Sequence, residues 1–436
     1  MKKLTIILFL IVYFNLSYAQ KINESYKDSL DVFFKALDEN DKFMGQVGVF
    51  QNEKMKCFYS LGYSNIEATS KVENNTKFRI GSISKTFTAT LVLKAAEEGK
   101  IELSQTLETF FPSIKNAEII TIRHLLNHHS GIENFTSNTN FKEWYTFPKI
   151  SSEMISIISS GKSEFKPGQN AAYVLLSYIL EKTYNESYAS ILNKKIIKPL
   201  GLKHTQFGDK AIPENKKTYS YTYEVNWKKE TMTDESIPMG AGGIVMSAHD
   251  LSIFINGLFN EKIISKKSLE IMCQQIDGFG MGLFKTEVAG KEAYTHDGII
   301  DGFNSVFYYF PEENLTYVLL SNGKNYNLAS INELVLKAVF NQPFEIPQIN
   351  PYEVTSQDLI PYLGEYTNPD NPLIITISKN ENKLLAQPKG QRIYTMDAID
   401  KDVFRHDESG VTLEFNTSKN SMVMSQGKQI LHFSKK

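Results

Sequence analysis

The apolar positions of the chain predict helices and strands in a set order. Between Ser25 and Glu39 the residues Leu30, Phe33, Phe34 and Leu37 recur at helical spacing and form one stripe. Two apolar runs follow, Phe43 to Phe50 and Lys56 to Leu61. They flank the polar turn Gln51-Asn52-Glu53-Lys54 and predict a pair of strands. The pattern then becomes mostly helical up to about residue 275. Strand character returns at Phe303 to Phe310 and Leu315 to Ser321, on either side of Pro311-Glu312-Glu313-Asn314, and Ile331 to Phe340 reads as a closing helix. Strands at both ends with helices between them predict an α+β fold. Its antiparallel sheet, completed by the two ends of the chain, is flanked by helices and carries a mostly helical inserted region.

The segment 342–351 contains Pro343, Pro347 and Pro351 and reads as a linker. Beyond it, from 352 to 436, the pattern changes to short strands: Leu373–Ser378, Lys383–Gln387, Val411–Asn416, Ser421–Gln426 and Gln429–Ser434. Polar turns separate them, and together they predict a small all-β, barrel-like C-terminal domain. The main domain is thereby expected over 20–341. No internal repeats or low-complexity tracts occur.

The first residues have a different character. Lys2-Lys3, the apolar run Leu4 to Phe14 and Ser17-Tyr18-Ala19 before Gln20 have the order of a cleavable signal peptide, expected over 1–19. No later apolar run is long enough to span a bilayer, so the mature chain is expected to be exported, periplasmic or secreted, without an integral span. A net charge of −2 gives no electrostatic reason to expect nucleic acid as a partner. The two cysteines, Cys57 and Cys273, can form one bridge or none. The eight histidines show no metal-ligand spacing, and neither a metal nor another cofactor is expected.

Candidate chemistry begins at Gly81-Ser82-Ile83-Ser84-Lys85-Thr86-Phe87, which leads into a helix predicted from Thr86 to Glu98 and stopped by Gly99. Positions i and i+3 share a helix face, so Ser82 and Lys85 point the same way. A serine at a helix start beside a lysine has the parts of an activated nucleophile, and its own N–H can contribute to an oxyanion hole. The spacing alone does not discriminate. It recurs at Ser159–Lys162, Ser163–Lys166, Ser321–Lys324 and Ser425–Lys428.

Context does discriminate. FRIGSISKTFTATL resembles the nucleophile segment of the serine β-lactamase and penicillin-binding-protein superfamily, in particular its class C β-lactamase-related branch of carboxypeptidases, D-aminopeptidases and esterases. Further resemblances follow in order: TIRHLLNHHSG (121–131), FKPG (165–168), PLGL (199–202), Ala241-Gly242-Gly243-Ile244, and His296-Asp297-Gly298 with Gly302-Phe303. The resemblance implies a β-lactamase/transpeptidase-like fold and a small-molecule or peptide substrate. In this reading Ser82 is acylated, Lys85 positions and deprotonates it, and the strand at His296 to Gly298 borders the substrate and supplies a second oxyanion donor. His296, where many relatives have lysine, is expected to bring a weaker, pH-dependent positive charge. His124, His128 and His129 are expected to be cap or core residues.

One motif departs from the pattern. The family keeps a Tyr-x-Asn between its P-G turn and the following helix, but here only Gln169-Asn170-Ala171-Ala172 separate Gly168 from Tyr173. If the helix sets the register, Asn170 is the motif asparagine, which binds the substrate amide, the motif tyrosine is missing, and Tyr173 packs inside the helix. If P-G sets the register, Tyr173 is the alternative general base and Leu175 replaces the asparagine. The first fits the helix better. The sequence thus predicts an exported serine hydrolase of an ester or amide, with catalytic efficiency in question. The alternative is an impaired member that binds peptidoglycan-like or peptide ligands without efficient turnover.

Overall fold

The computed structural model describes residues 26–161, 170–349 and 352–436. The expected leader, the turn Phe165–Gly168 and Pro351 lie outside the described residues, and so does the side chain of Asn170.

The stripe Leu30, Phe33, Phe34 and Leu37 becomes the buried face of α1 (Lys27–Glu39). The strands β1 (Phe43–Gln51) and β2 (Lys54–Leu61) pair antiparallel across the predicted turn. Helices α2 (Ser84–Glu97), α3 (Asn170–Tyr184) and α4 (Ala248–Phe259) are the longest of the helical middle. Four strands follow: β3 (Phe284–Val288), β4 (Lys291–Ile300), β5 (Phe303–Phe310) and β6 (Leu315–Lys324), before α5 (Leu328–Val339). The sheet runs β3-β4-β5-β6-β1-β2, so the first strand of the chain is held beside the last strand of the domain.

Every residue of β1 except Gln51 is buried, as is every residue of β6 except Lys324, which requires cover on both faces. The alternation shows what covers each face. Leu315, Tyr317 and Leu319 pack with α1 and α5, whereas Val318 and Leu320 point to the helical side with Phe87 of α2 and Phe254 of α4. The rings of Phe87 and Phe254 stack at 3.6 Å. A three-layer arrangement results, and α2 is its central helix.

Eight antiparallel strands from Gly364–Asn368 to Gln429–Lys435 close into a barrel, because the first pairs with the last at Tyr366↔Lys435 and Thr367↔Ser434. Five of these strands are the ones the sequence pattern predicts. Gly364–Asn368, Tyr394–Asp400 and Val403–His406 are the additional ones. The barrel seats on the layered part around Lys42, which is wholly buried and ion-paired with Asp397 at 2.5 Å and Asp407 at 2.8 Å, both from the barrel. A buried ammonium is tolerable only with such partners. Cys57 and Cys273 are both unpaired, and burial pushes each thiol up to about 12, so neither is a thiolate near neutrality.

Candidate active site

The short strand Phe78–Arg79 pairs with Ile244–Met246 and leads directly into a tight turn, Gly81–Ile83, that opens α2. Gly81 has φ +50°, and a Cβ there would stand 2.9 Å from the backbone nitrogen of Ile299, so conformation and space both select glycine. The turn projects Ser82 at the start of α2, and Lys85 follows on the first turn of the helix. Lys85 Nζ donates to Ser82 Oγ at 2.7 Å and to the carbonyl of Ala241 at 3.2 Å. The helical i, i+3 geometry read from the sequence is the geometry observed.

Lys85 is 3% exposed, and the first turns of α2 are buried around it. Burial lowers its pKa to about 7, against a smaller opposing pull from Asp297. A lysine so placed is substantially unprotonated at neutral pH and can accept the Ser82 proton along the bond it already makes. Its polar neighbours on α2 are satisfied. Thr86 Oγ1 donates to the carbonyl of Gly282 and Thr88 Oγ1 to that of Gly240, which fixes the helix among its surroundings.

β4 borders the turn. Its pairing with β3 stops at Phe284↔Thr295, so residues 296–300 are not paired to β3 and lie against Gly81–Ile83. A Cβ at Gly298 would stand 2.1 Å from the carbonyl oxygen of Ile80 and 3.0 Å from the nitrogen of Ser82. Ser305 Oγ donates to the same Ile80 carbonyl at 2.8 Å, clasping the turn to the sheet. The backbone nitrogens of Ser82 and of this part of β4 are therefore neighbours, the arrangement an oxyanion hole needs.

His296 differs from its expected role. It is 5% exposed, and its Nδ1 lies 2.6 Å from the carbonyl of Asp297, so the ring proton sits there and Nε2 is left as a buried lone pair. Burial, with the nearby Lys85 charge second, pushes its pKa down to about 3. The expected pH-dependent positive charge is corrected accordingly: His296 is a neutral acceptor, because desolvation outweighs the single backbone hydrogen bond that favours the cation.

Tyr173 is fully buried, and its hydroxyl donates to the carbonyl of Leu126 at 2.7 Å. Its ring packs beside His128, at 5.1 Å between centroids, and burial raises its pKa far above the ordinary phenol value. The ring face, with its centroid 6.0 Å from Lys85 Nζ, is what turns towards the lysine. This geometry assigns Tyr173 to packing and corrects its candidacy as general base. Tyr173→Phe is expected to lower stability by about 1 kcal/mol, the worth of one hydrogen bond, in a urea melt. Its hydrolysis rate per folded molecule should match wild type, whereas loss of a general base would cost about 10²–10⁴-fold.

Asn170 is the first residue of α3. His124 caps the helix Ile122–Leu126 with Thr121, His128 is buried, and His129 meets Asp277 at 3.1 Å.

Arg79 and Asp301 are not among the residues the sequence pattern singles out. Asp301, in the β4–β5 turn, accepts from Arg79 Nη1 at 3.2 Å and from the nitrogen and hydroxyl of Thr233, while Arg79 also pairs with Asp209 at 2.9 Å. This knot ties the strand before Ser82 to the turn after β4. An arginine inside the apolar strand FRIGS was the available signal. Beside it lies a cavity of about 250 Å³ lined by Ser82, Phe135, Phe141, Ile237, Ile299 and Asp301 among others. Among the described residues that line it, none is cationic. The described residues include no cluster suited to a metal ion.

The family model described as Beta-lactamase matches residues 33–340. The chain is 25% identical over 403 residues to Penicillin-binding protein 4* of Bacillus subtilis, covering 84% of this chain and 88% of that one. It is 27% identical over 342 residues to the teichoic acid D-alanine hydrolase of Staphylococcus aureus, with 76% and 82% covered. Among solved structures, the octameric penicillin-binding protein homologue from Pyrococcus abyssi superposes with a TM-score of 0.64 at 21% identity, over 94% of this chain and 100% of that one. The last likeness concerns the fold.

Proposed function

The chain belongs to the beta-lactamase family, and from that premise we propose that it is an exported enzyme that transfers the acyl group of an ester or amide first to Ser82 and then to water. It is a serine hydrolase of the β-lactamase and penicillin-binding-protein type. The observation that carries the finer reading is the 2.7 Å contact between Ser82 Oγ and the buried Lys85 Nζ.

In this reading Lys85 takes the Ser82 proton as Oγ bonds to the substrate carbonyl carbon. The oxyanion forms against the N–H groups of Ser82 and β4. The leaving alcohol or amine departs with the proton from Lys85, and water repeats the sequence on the acyl-enzyme. The similarity to a D-alanine hydrolase favours aminoacyl esters, D-alanyl esters foremost, as the substrates. Export rests on the leader pattern of residues 1–19. Among the described residues no helix is long and apolar enough to cross a membrane.

One observation favours a slower variant of the same chemistry. The tyrosine near the motif position is committed to Leu126, and the segment before α3 is short. Lys85 and the His296 lone pair are then the acid–base groups left, and deacylation is the step they serve least well, so acyl-enzyme accumulates.

The test is a fluorophosphonate probe on the wild-type protein with the adduct mapped by mass spectrometry, followed by a panel of D-alanyl esters, nitrophenyl esters and a chromogenic cephalosporin. We expect a single adduct on Ser82 and a burst of product followed by slow turnover of the esters. No adduct and no turnover would leave a binding protein in place of an enzyme.

A further inference from the structure

The barrel meets the layered part a second time, at a hairpin that lies between it and the Ser82 cavity. Tyr221–Tyr223 and Trp227–Lys229 pair antiparallel, with Glu224, Val225 and Asn226 at the tip. Tyr221 and Thr222 run parallel to Gly323 and Lys324 of β6, just past Ser321, where the pairing of β6 with β5 ends. The hairpin thus takes the place beside β6 that β5 leaves. So short a ribbon is marginal on its own and depends on what it touches.

Its tip touches the barrel. Lys383, at the start of the barrel strand Lys383–Pro388, donates from Nζ to Tyr223 Oη at 2.7 Å and to the carbonyl of Val225 at 3.2 Å. Thr395, on the next barrel strand, is buried, and its hydroxyl donates to the carbonyl of Glu224. Thr395 and Asp397 alternate with Met396 on that strand, so both leave the barrel on the same face. The ion pair of Asp397 with Lys42 and the grip on the hairpin therefore belong to one docking face.

Its base touches the wall of the Ser82 cavity. The buried Ser220 accepts from the backbone N–H of Gly302 through Oγ at 3.1 Å and from that of Glu230 through its carbonyl at 2.8 Å. Gly302 belongs to the β4–β5 turn. A Cβ on it would stand 3.1 Å from both Ser220 Cβ and Glu230 Cγ, so the turn rests directly on the hairpin base. Shortly after Glu230, Thr233 holds Asp301 through its N–H at 3.0 Å and its hydroxyl at 2.6 Å. Thr233 and Asp301 both line the cavity beside Ser82. Contacts run unbroken from Lys383 through the hairpin and Gly302 to that wall.

We propose that Lys383 is a positioning residue for the Ser82 reaction: it holds the hairpin, and through it the wall formed by Thr233 and Asp301, where that wall meets the substrate. The proposal rests on the acyl-transfer reading of Ser82. Coupling of this kind is carried by contiguous packed and hydrogen-bonded groups, and each step here is one. Lys85 and the nucleophile turn take their own hydrogen bonds from Ala241 and Ser305, so a loosened hairpin alters how substrate is held and leaves the nucleophile activated. Arg79 keeps a separate hold on Asp301, which makes the effect a loosening of the wall and not its loss.

Lys383→Met in the full-length protein tests this, because it keeps the stem and removes both hydrogen bonds. For the ester that wild type turns over fastest, kcat/KM should fall about three- to tenfold, the worth of a hydrogen bond. The fall should lie in KM, with kcat within about twofold and the rate of Ser82 labelling by a small fluorophosphonate unchanged. Lys383→Arg keeps a donor and should recover most of the loss. Amide hydrogen exchange gives a readout that needs no turnover: peptides containing Gly302 and Thr233 should exchange faster in Lys383→Met, and peptides of β1 should not. If Lys383→Met does not fold, Thr395→Val removes the other grip and takes its place. An unchanged KM, unchanged exchange at both peptides, or labelling that slows in step with hydrolysis would each overturn the proposal. A wild type that neither labels nor hydrolyses would overturn the reading of Ser82 instead, and exchange would then decide by itself whether the barrel holds this wall.

Discussion

Lys85→Met should lower kcat/KM by about 10³–10⁴-fold while raising the melting temperature at pH 6. The two effects share one cause. Lys85 is buried, and burial lowers its pKa from 10.5 to about 7. Between those values the unfolded chain binds the proton that the native state does not, so native stability increases with pH across this window and the buried cation is a liability below it. Methionine keeps the volume of the stem and removes that liability. Catalysis loses the group that accepts the Ser82 proton across 2.7 Å. In wild type the rate should accordingly climb with pH around 7, since only the neutral amine can act as base, and that limb should vanish in the variant. Rates at pH 6, 7 and 8 beside melting curves at the same values check both halves. A methionine variant within tenfold of wild type would assign the proton to another acceptor, with His296 Nε2 first in line.

Gly298→Ala should be almost as damaging, for a steric reason. The added methyl would stand 2.1 Å from the Ile80 carbonyl and 2.5 Å from Ser305 Oγ, the pair whose hydrogen bond clasps the nucleophile turn to β4. Backbone carbonyls do not move as flexible side-chain ends do, so the turn and the strand must separate. That misplaces the two N–H groups proposed to hold the oxyanion. Misplacing one such donor typically costs about 10²–10³-fold in kcat. The expected signature is a fall in kcat with a smaller change in KM, together with slower labelling of Ser82 by fluorophosphonate. Full activity in Gly298→Ala would show that the strand does not supply the second donor.

Much of this was legible in the sequence because it depends on local spacing. Leu30, Phe33, Phe34 and Leu37 declare a buried helix face, and the apolar runs of β1 and β6 declare strands. Ser82 and Lys85 need only one helical turn to meet. What stayed hidden depends on distant partners. The charge of His296 cannot be read from an imidazole; it follows from enclosure beside Phe284 and Lys85. Arg79 looks like a strand residue until Asp209 and Asp301 arrive from positions far along the chain. Two of the three unforeseen barrel strands, Tyr394–Asp400 and Val403–His406, are short or interrupted by Asp and Arg, so they lack an apolar run of their own and are held by their neighbours.

Lys42 also bears on the order in which the molecule is made. Its carboxylate partner Asp397 lies 355 residues later in the chain, and the strand that begins beside it, β1, must wait for β6 before both its edges are paired. The earliest-synthesised strand of the sheet is thus among the last to be completed. Contacts so far apart in sequence slow folding, and a nascent chain lacking its final third holds an unmatched cation and an open strand edge. Such a chain cannot complete its sheet before Lys324 is made, nor both ion pairs of Lys42 before Asp407 is made.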